Sequence, residues 1–464
     1  MRLKKFFRST FLLATLSSML MVPSTVTADH KKKKPYTLQG ACAFLPASRA
    51  TEFHGNADEA KLLLGMAGNQ WVVFDKVMQG FNATLGYDSD KPAHKPNPQW
   101  TLADLENKAN RYYIQLVPPG VIRDQIKSGC LVLGNDEERN FLPGSVQVKF
   151  DVFASTNYGL MQNLAKSGFV GEAIPYIKNK LDLMVKAGNP LNIGSEGGAA
   201  GSPGYIADIV LKLLSPTVRV SQVDHVNEGI HRAINKMYMA MDEYIREHGT
   251  VAQITALNTA LSAVKIPQAG SPSATRPDAN PAKYNMESNT DCHYPADVLA
   301  ADGVTVVIAK GTLRFCEFAV LNKSNTHETR VHHVETPGRI LSTDVATQSD
   351  IGPVWTSELK YAQAAGDAVD GMGPPGTSEG VATPADSNPK VNNPATYSIT
   401  VLATSKHRDL ARKFIDYVRS VDGQSKYTDG GFIGLTQAEM DAGECYSIDA
   451  GGNLVVTPRA GGCD

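Results

Sequence analysis

In the stretch HETRVHH, residues 327–333, His327, Glu328 and His332 come close to a zinc-hydrolase motif. In H-E-x-x-H the histidines are four residues apart on a helix, so both nitrogens reach one metal ion. Here His327 and His332 are five residues apart, which separates them by about 140° around a helix. His333 follows directly, and adjacent side chains diverge on a helix and alternate on a strand. The spacing therefore excludes a helical zinc-hydrolase site.

The same stretch permits an interpretation in which one histidine faces a ligand. An extended segment would direct His332 and His333 to opposite sides, and Glu335 shares the side of His332 across a tight turn. His332 with Glu335 or Glu228 could then hold a ligand or a metal ion, although hard cations prefer carboxylates. The simpler interpretation is a hydrogen-bonded loop histidine that orients the following helix, and both interpretations stay open.

Two Gly-rich stretches resemble enzyme motifs only in part. GTSEG, residues 376–380, matches the nucleophile motif G-x-S-x-G around Ser378. That motif requires a strand–turn–helix elbow, whereas Ser378 lies in a loop rich in Gly and Pro. The second stretch, residues 194–204, lacks the Lys-Ser/Thr pair of a phosphate-binding loop. We expect no enzyme activity, and a secreted serine hydrolase is the alternative from another functional class.

Polar residues precede proline at three places where helices are expected to begin: Asn189-Pro190, Ser202-Pro203 and Thr336-Pro337. Asn, Ser and Thr cap the first amides of a helix, and proline is tolerated at its first position. In a doubly wound sheet these starts face the ligand crevice, where exposed amides attract polar or anionic groups. Thr336 is therefore a candidate ligand residue, although capping alone would explain each pair.

The first 28 residues have the pattern of a secretory signal peptide. Lys4, Lys5 and Arg8 precede an apolar run, 11–22, and small residues end at Ala28. The run is too short to span a bilayer, although a retained membrane anchor is the rival interpretation. We expect cleavage after Ala28 and a periplasmic location.

Length, charge and cysteine content limit the functional classes. The chain of 464 residues is long enough for two domains. Its net charge of −2 gives no general attraction to nucleic acid or to anionic membranes. Six cysteines in an exported chain fit disulfides, and fifteen pairings are possible. Cys445–Cys463 is the best single pair, because it would fix a Gly-rich tail.

Strands alternate with amphipathic helices along most of the chain. Residues 60–68 predict a buried strand and 69–86 a helix with apolar residues at helical spacing. The same unit recurs at 110–129 and at 148–169. Such alternation predicts an α/β fold with a mainly parallel sheet.

With these elements in order, the chain resembles the bacterial extracellular solute-binding proteins of the type 2 periplasmic fold, nearest the molybdate-binding-like branch. Four stretches carry the resemblance: QIKSG followed by FDVFAST and MQNL (125–164), NKLDLMVKAGNPLNI (179–193), SDIGPVWTSEL (349–359) and the block from YSITVLAT to TDGGF (397–432). Residues 130–149 are inserted relative to the family pattern. The likeness spans roughly residues 58–185 and 310–435.

The resemblance implies two Rossmann-like α/β lobes joined by crossing strands, here 179–188 and 397–404, which close like a hinge over a ligand. The implied segments are a signal peptide (1–28), a flexible mature N-terminus (29–54), lobe 1 (55–185 and 396–440), lobe 2 (186–395, with a surface insertion at about 265–295) and a C-terminal tail (441–464).

The resemblance also implies ligand positions after particular strands. Carried over by position, they are Asn69-Gln70, Pro118–Gly120, Ser155-Thr156 and Trp355-Thr356. Molybdate binders have small hydroxyl residues at the first two turns, which this chain lacks. A bare tetrahedral oxyanion is therefore in doubt, whereas Gln70 can donate hydrogen bonds and Trp355 can stack on an organic ligand.

These observations predict a periplasmic receptor of an ABC-type importer. It would capture an oxyanion or a small polar organic solute between its lobes and present it to a membrane permease. We expect a monomer without cofactor, and the alternative within the same class is a metal-scavenging receptor. The candidate ligand residues are Asn69, Gln70, Gly120, Ser155, Thr156, Glu228, His332, Thr336, Trp355 and Thr356; the alternative metal ligands are His332, Glu335 and Glu228.

Overall fold

The structure is a computed structural model. It describes residues 52–55, 61–85, 112–117, 119–129, 131–132, 145–146, 149–156, 158–223, 228–264, 292–299, 302–321, 326–329, 335–373, 394–459 and 462–463. Side chains are described within these ranges except at 52–55, 131–132, 145–146, 222–223, 228–232, 326–329 and 335. The signal peptide, Pro118, Ser378, His332 and His333 lie outside the described residues.

The larger of two main sheets has eight strands. Across the sheet these are β1 (Glu52–Gly55), β3 (Tyr112–Val117), β2 (Leu62–Ala67), β6 (Val152–Ser155), β15 (Ala395–Val401), β7 (Glu172–Asn179), β16 (Glu444–Ile448) and β17 (Leu454–Pro458). Strands β3, β2 and β6 run parallel, while β15 runs antiparallel to both of its neighbours.

Helices cover both faces of the larger sheet, which is why all six residues of β2 and of β3 are buried. On one face, apolar residues pack against α1 (Phe74–Thr84), α10 (Arg408–Arg419) and α11 (Val421–Asp429). On the other face they pack against α2 (Pro119–Ser128) and α3 (Tyr158–Ala165).

The smaller sheet has five strands in the described chain. Across the sheet these are β12 (Thr326–Thr329), β9 (Val220–Val223), β13 (Ile351–Trp355), β8 (Leu181–Lys186) and β14 (Val369–Gly371). Its helices are α4 (Pro203–Leu214), α5 (Glu228–His248), α6 (Val251–Ala263), α7 (Glu317–Leu321), α8 (Glu335–Leu341) and α9 (Thr356–Ala364). Two short strand pairs lie outside both sheets: β4 (Leu131–Val132) with β5 (Ser145–Val146), and β10 (Val298–Leu299) with β11 (Val306–Ile308). Helix α12 (Gln437–Asp441) precedes β16.

The chain passes from the larger to the smaller sheet at Lys180, which alone separates β7 from β8. It returns between β14 and β15. The two predicted crossing segments, 179–188 and 397–404, therefore begin close to the points where the chain changes sheets. Their strands do not span both sheets: β8 pairs within the smaller sheet and β15 within the larger one. All described residues belong to one compact unit, Tyr36–Asp464.

The α/β prediction is confirmed, and the pairs predicted at 60–86, 110–129 and 148–169 are present as β2–α1, β3–α2 and β6–α3. The C-terminal segment, predicted as a tail, has regular structure. It forms the antiparallel hairpin β16–β17, and β16 adds to the larger sheet beside β7. Gly-rich composition concealed these short strands.

Two disulfides are present in the described chain. Cys445–Cys463 confirms the pair expected from sequence. Cys292–Cys316 lies in the core of the smaller sheet, with both cysteines fully buried. Residues 292–294 were predicted to end a surface insertion, but they are buried because this disulfide ties them to the core.

Candidate functional site

Three parallel strands of the larger sheet end side by side. Ala67 of β2 lies opposite Val117 of β3, and the register of β2 with β6 brings Ser155 to the same level. A 3-10 turn, Gly68–Val72, follows β2, while α2 and α3 begin shortly after β3 and β6. Because helix starts expose backbone N–H groups, this edge presents hydrogen-bond donors.

The smaller sheet has an equivalent edge. Strands β12, β9 and β13 run parallel, and α5, α8 and α9 begin after their carboxyl ends. In open α/β sheets, ligands bind outside the carboxyl ends of the strands.

The two edges face each other. The ring of Trp71, in the 3-10 turn, meets the ring of Tyr361 on α9 edge-on, with centroids 4.5 Å apart. On the other side, α2 approaches α5. Elements that follow the carboxyl ends of both sheets therefore contact each other at these two places, which are together called the junction below.

Asn179, at the passage between the sheets, connects them through its side chain. Its Oδ1 accepts from Thr356 Oγ1 at 2.8 Å and from the Lys180 N–H at 3.0 Å, and its Nδ2 donates to Ser357 Oγ at 2.9 Å. Both Asn179 and Ser357 are fully buried. The start of α9 is thus fixed to the point where the chain changes sheets.

Asn69 and Gln70 lie in the 3-10 turn and are buried. Asn69 Nδ2 donates to the Tyr397 hydroxyl, and Gln70 Oε1 accepts from the Tyr427 hydroxyl at 3.0 Å. Burial raises the pKa of both tyrosines far above the usual value, so both hydroxyls stay protonated. Asn69 Nδ2 and Gln70 Oε1 are therefore engaged with the protein, whereas Gln70 Nε2 is buried without a hydrogen-bond partner among the described residues.

Gly120, Ser155 and Thr156 line the same edge with different exposure. Ser155 is fully buried, whereas Gly120 and Thr156 are half-buried. A Cβ added at Gly120 would meet nothing within 4 Å. The side of the junction at the start of α2 therefore has open space.

Trp355 and Thr356 end β13 and begin α9. Trp355 is only 4% exposed, and its ring centroid lies 6.1 Å from that of Tyr397. Its backbone N–H donates to Glu358 Oε2 at 3.2 Å. The buried carboxylate of Glu358 lies at the positive end of the α9 dipole and opposes an anion there.

Asp182 is a second buried carboxylate near the passage. Its Oδ1 accepts from the N–H groups of Leu183 at 2.7 Å and Gly373 at 2.9 Å. Burial raises the pKa of Asp182 to about 6, against the opposing effects of these two hydrogen bonds and of Lys180.

Residues 107–287 and 295–433 match the family model described as bacterial extracellular solute-binding protein. The match covers well over half of the chain. The chain belongs to this family. A comparison with curated proteins gives no match.

Several solved structures are similar to this solute-binding protein. An ABC-transporter substrate-binding protein from Agrobacterium tumefaciens has 9% identity and a TM-score of 0.43, covering 84% of this chain and 85% of its own. The sulfate-binding protein SubI from Mycobacterium tuberculosis has 14% identity and a TM-score of 0.37, covering 82% and 88%. The periplasmic molybdate-binding protein from Azotobacter vinelandii has 11% identity and a TM-score of 0.38, covering 81% and 100%. Because these values are low, the fold assignment is based on the sheets and the family match.

The remaining predicted residues are only partly placed. Glu228 and Glu335 are the first residues of α5 and α8, at the edge that faces the junction. The side chains of both glutamates, and all of His332, lie outside what the structure describes.

The three predicted helix starts have different outcomes. Ser202 caps α4 as predicted, with its Oγ accepting from the Tyr205 N–H. Asn189 does not begin a helix. It has φ of 42° and bonds Ile193 through both side-chain atoms, which forms a turn. Thr336 is inside α8 rather than before it, because the helix starts at Glu335; its side chain is buried and contacts the Gly352 position of β13.

No group of three or more His, Cys, Asp or Glu residues within the described ranges is arranged to hold a metal ion. His327 and Glu328 lie on β12, a strand, so the helical geometry of the zinc motif is absent there. The metal alternative therefore depends on His332.

The structure brings a serine, a histidine and an aspartate together outside the junction. Ser405 Oγ donates to Asp151 Oδ1 at 2.6 Å, and His407 Nδ1 lies 3.3 Å from Asp151 Oδ2. A nucleophilic serine needs the histidine as its base, whereas this hydroxyl is bonded to the carboxylate. The arrangement fixes the start of α10 and does not form a catalytic triad.

Sequence reasoning missed four junction residues: Asn179, Ser357, Tyr397 and Tyr427. Asn179 and Tyr397 lie at the beginnings of the predicted crossing segments, which is a usable signal. The tyrosines bond amides 328 and 357 residues away along the chain, and no local pattern indicates such contacts.

Proposed function

We propose that this solute-binding protein is the periplasmic receptor of an ABC-type importer and holds one small polar solute at the junction between its sheets. The observation that carries the proposal is the direct approach of the carboxyl-end elements of both sheets: the 3-10 turn meets α9, and α2 approaches α5. Small-molecule sites occur preferentially where two domains or lobes meet, and a few fixed polar groups orient the ligand there.

The junction residues favour a polar organic solute over a bare oxyanion. Asn69 and Gln70 bond tyrosines, and Glu358 places a carboxylate at the start of α9. Gly120, Thr156 and Thr356 are the half-buried positions available to a ligand. Ser155, Trp355, Thr336, Glu228 and His332 stay ligand predictions from sequence, and the first three are buried in this conformation.

Access to the site requires the two sheets to separate and close again. The chain crosses at Lys180 and between β14 and β15, which are the positions where a hinge would bend. Asn179 and Thr356 would stay together during this motion because they lie beside the hinge. A closed, liganded form would then be presented to the permease.

The proposal also includes export to the periplasm and a binding role without catalysis. The leader 1–28 would direct the chain to the periplasm, where it would act as a monomer. In the described part of the chain, no helix combines the length and hydropathy that a membrane span requires. The proposal assigns no catalytic residue; a hydrolytic activity that disappears in Ser378→Ala would contradict it.

Native mass spectrometry of protein purified without added ligand, combined with elemental analysis, tests the proposal. We expect one retained organic molecule for each chain. A stoichiometric metal ion would instead favour the metal-scavenging alternative with His332, Glu335 and Glu228. If no molecule is retained and no member of a panel of polar solutes raises the melting temperature, the proposed function is wrong.

A further inference from the structure

A concave site lies in the larger-sheet half of the molecule, at the end of α2 that is away from the junction. It is a cavity of about 240 Å³. Its walls are the end of α2, the segment before β6, Phe169 and the segment after β15; the lining residues used below are Ile126, Phe150, Leu402, Lys127, Lys149 and Thr404.

The cavity and the junction are at opposite ends of the same elements. Helix α2 begins beside Gly120 at the junction and ends at Ser128 in the cavity wall. Ten residues of α-helix span about 15 Å. A molecule in the cavity would therefore not contact a solute at the junction.

The inner wall of the cavity is apolar. Ile126, Phe150 and Leu402 are each at most 6% exposed, and the half-buried ring of Phe169 adds a further side. A cavity of about 150 Å³ lined by such side chains is large enough for benzene. The volume here thus fits one ring, or a short alkyl chain, with one polar substituent.

The outer wall carries positive charge. Lys127 and Lys149 are exposed, and Lys127 Nζ donates to Asn163 Oδ1 at 3.3 Å. Among the described residues, neither ammonium group forms an ion pair. Two carboxylates lie close to them in sequence and are engaged elsewhere: Asp124 accepts from Arg123 Nε, and Asp151 accepts from Ser405 Oγ and the Leu63 N–H.

The carboxyl end of α2 disfavours an anion in the cavity, because it carries a partial negative charge of about half a unit. Two ammonium groups outweigh this partial charge. The N–H of Gly129 and the hydroxyl of Ser128 bond the carbonyl groups of Ile126 and Gln125, which partly satisfies this end of the helix.

From the apolar inner wall and the unpaired lysines at the rim, we propose that this cavity is a second binding site, for a small organic carboxylate with an aromatic or short aliphatic body. The ring would contact Phe150 and Leu402, and the carboxylate would lie between Lys127 and Lys149. Thr404 can donate a further hydrogen bond.

Calorimetry with benzoate tests the proposal, with benzyl alcohol and benzylamine as neutral and cationic analogues. We expect saturable benzoate binding in the millimolar range, as suits a ligand of about nine heavy atoms. Benzylamine should bind at least about fivefold more weakly, because it loses both ion pairs. Equal binding of all three probes would overturn the assignment of charge.

Variants distinguish this cavity from the junction. The double variant Lys127→Gln/Lys149→Gln should weaken benzoate about fivefold or more and leave benzyl alcohol unchanged. Lys76→Gln/Lys413→Gln, on exposed faces of α1 and α10, is the control of equal charge. Thr404→Trp should fill the cavity and abolish binding of both probes. No saturable benzoate binding, or binding equal in wild type and both cavity variants, would overturn the site.

Discussion

The two sheets differ in what holds their helices in place. In the larger sheet, α1 and α10 are joined by rings: Phe81 meets Phe414 edge-on with centroids 5.2 Å apart. In the smaller sheet, α5 carries a buried aspartate, Asp242, that accepts from Arg246 Nε at 2.8 Å and from the Tyr294 hydroxyl at 2.7 Å. The disulfide Cys292–Cys316 lies in the same core.

The longest strands of the two sheets also differ in number. Strands β2, β3, β7 and β15 of the larger sheet have six to eight residues, and they bury long apolar runs. In the smaller sheet, β9, β12 and β14 have three or four residues. In the smaller sheet a covalent bond and an ion pair supplement the apolar contacts, so single substitutions there remove more than apolar packing. We therefore expect substitutions in the smaller sheet to lower the free energy of unfolding more than substitutions in the larger sheet.

The largest effect is expected from Asp242→Ala. This change leaves Arg246 buried without its partner, and breaking a buried pair costs about 3–5 kcal/mol. Urea unfolding followed by Trp355, which lies in the same core, measures the loss of stability. Asp416→Ala, an exposed site on α10, is the matched control and should stay within about 0.5 kcal/mol. Equal effects of both variants would contradict the comparison.

Removing the disulfide of the smaller sheet should destabilise the protein more than removing the disulfide of the hairpin. Replacing Cys292 and Cys316 by Ser should lower the free energy of unfolding by about 2–4 kcal/mol, because the bond lies in the core. Replacing Cys445 and Cys463 should lower it less, since the exposed hairpin β16–β17 can fray locally. Thermal unfolding of the two double variants measures both effects. A larger effect from the hairpin pair would reverse the comparison.

The raised pKa of Asp182, which lies on β8 of the smaller sheet, predicts that the stability of the protein depends on pH. Its folded pKa of about 6 exceeds the ordinary 3.8, so the folded state binds more protons between these pH values. Stability should therefore fall as the pH rises from about 4 to about 7. Asp182→Asn keeps an acceptor for Leu183 and Gly373, and it should be more stable than wild type by about 1–3 kcal/mol at pH 7.5. The difference should vanish near pH 4; a constant difference would show that another group is responsible.

The smallest effect concerns the connection between the sheets. Thr356→Val removes the hydroxyl that donates to Asn179, which should cost about 0.5–1.5 kcal/mol. Thr255→Val, which removes a local bond within the exposed part of α6, is the control. Chemical unfolding compares the two variants. If the control loses as much stability, the bond across the passage has no special role.

The fold could be predicted from sequence where apolar periodicity is strong. Helix α10 and strands β2 and β3 are such cases, because they face a single core or are buried on both faces. The hairpin β16–β17 was missed because its apolar residues, such as Val455 and Val456, are adjacent and exposed within a Gly-rich segment, so they do not alternate as in a half-buried strand.

The site could be predicted only as far as strand ends indicate it. Asn69, Thr156 and Thr356 follow strands and were placed by resemblance at the edges that the structure brings together. The bonds of Asn69 and Gln70 to Tyr397 and Tyr427 depend on tertiary packing, which the sequence does not show. Local sequence likewise does not reveal that Glu358 occupies the start of α9.

The central claim is that a solute lies where the carboxyl ends of the two sheets face each other. Native mass spectrometry of wild type and Gly120→Trp tests it directly, because a side chain at Gly120 would enter open space at that edge. Gly171→Trp is the control, since its added side chain also meets open space but lies at the other end of β7. We predict that wild type and Gly171→Trp retain the same solute and that folded Gly120→Trp retains none. Equal retention in all three proteins would contradict the claim.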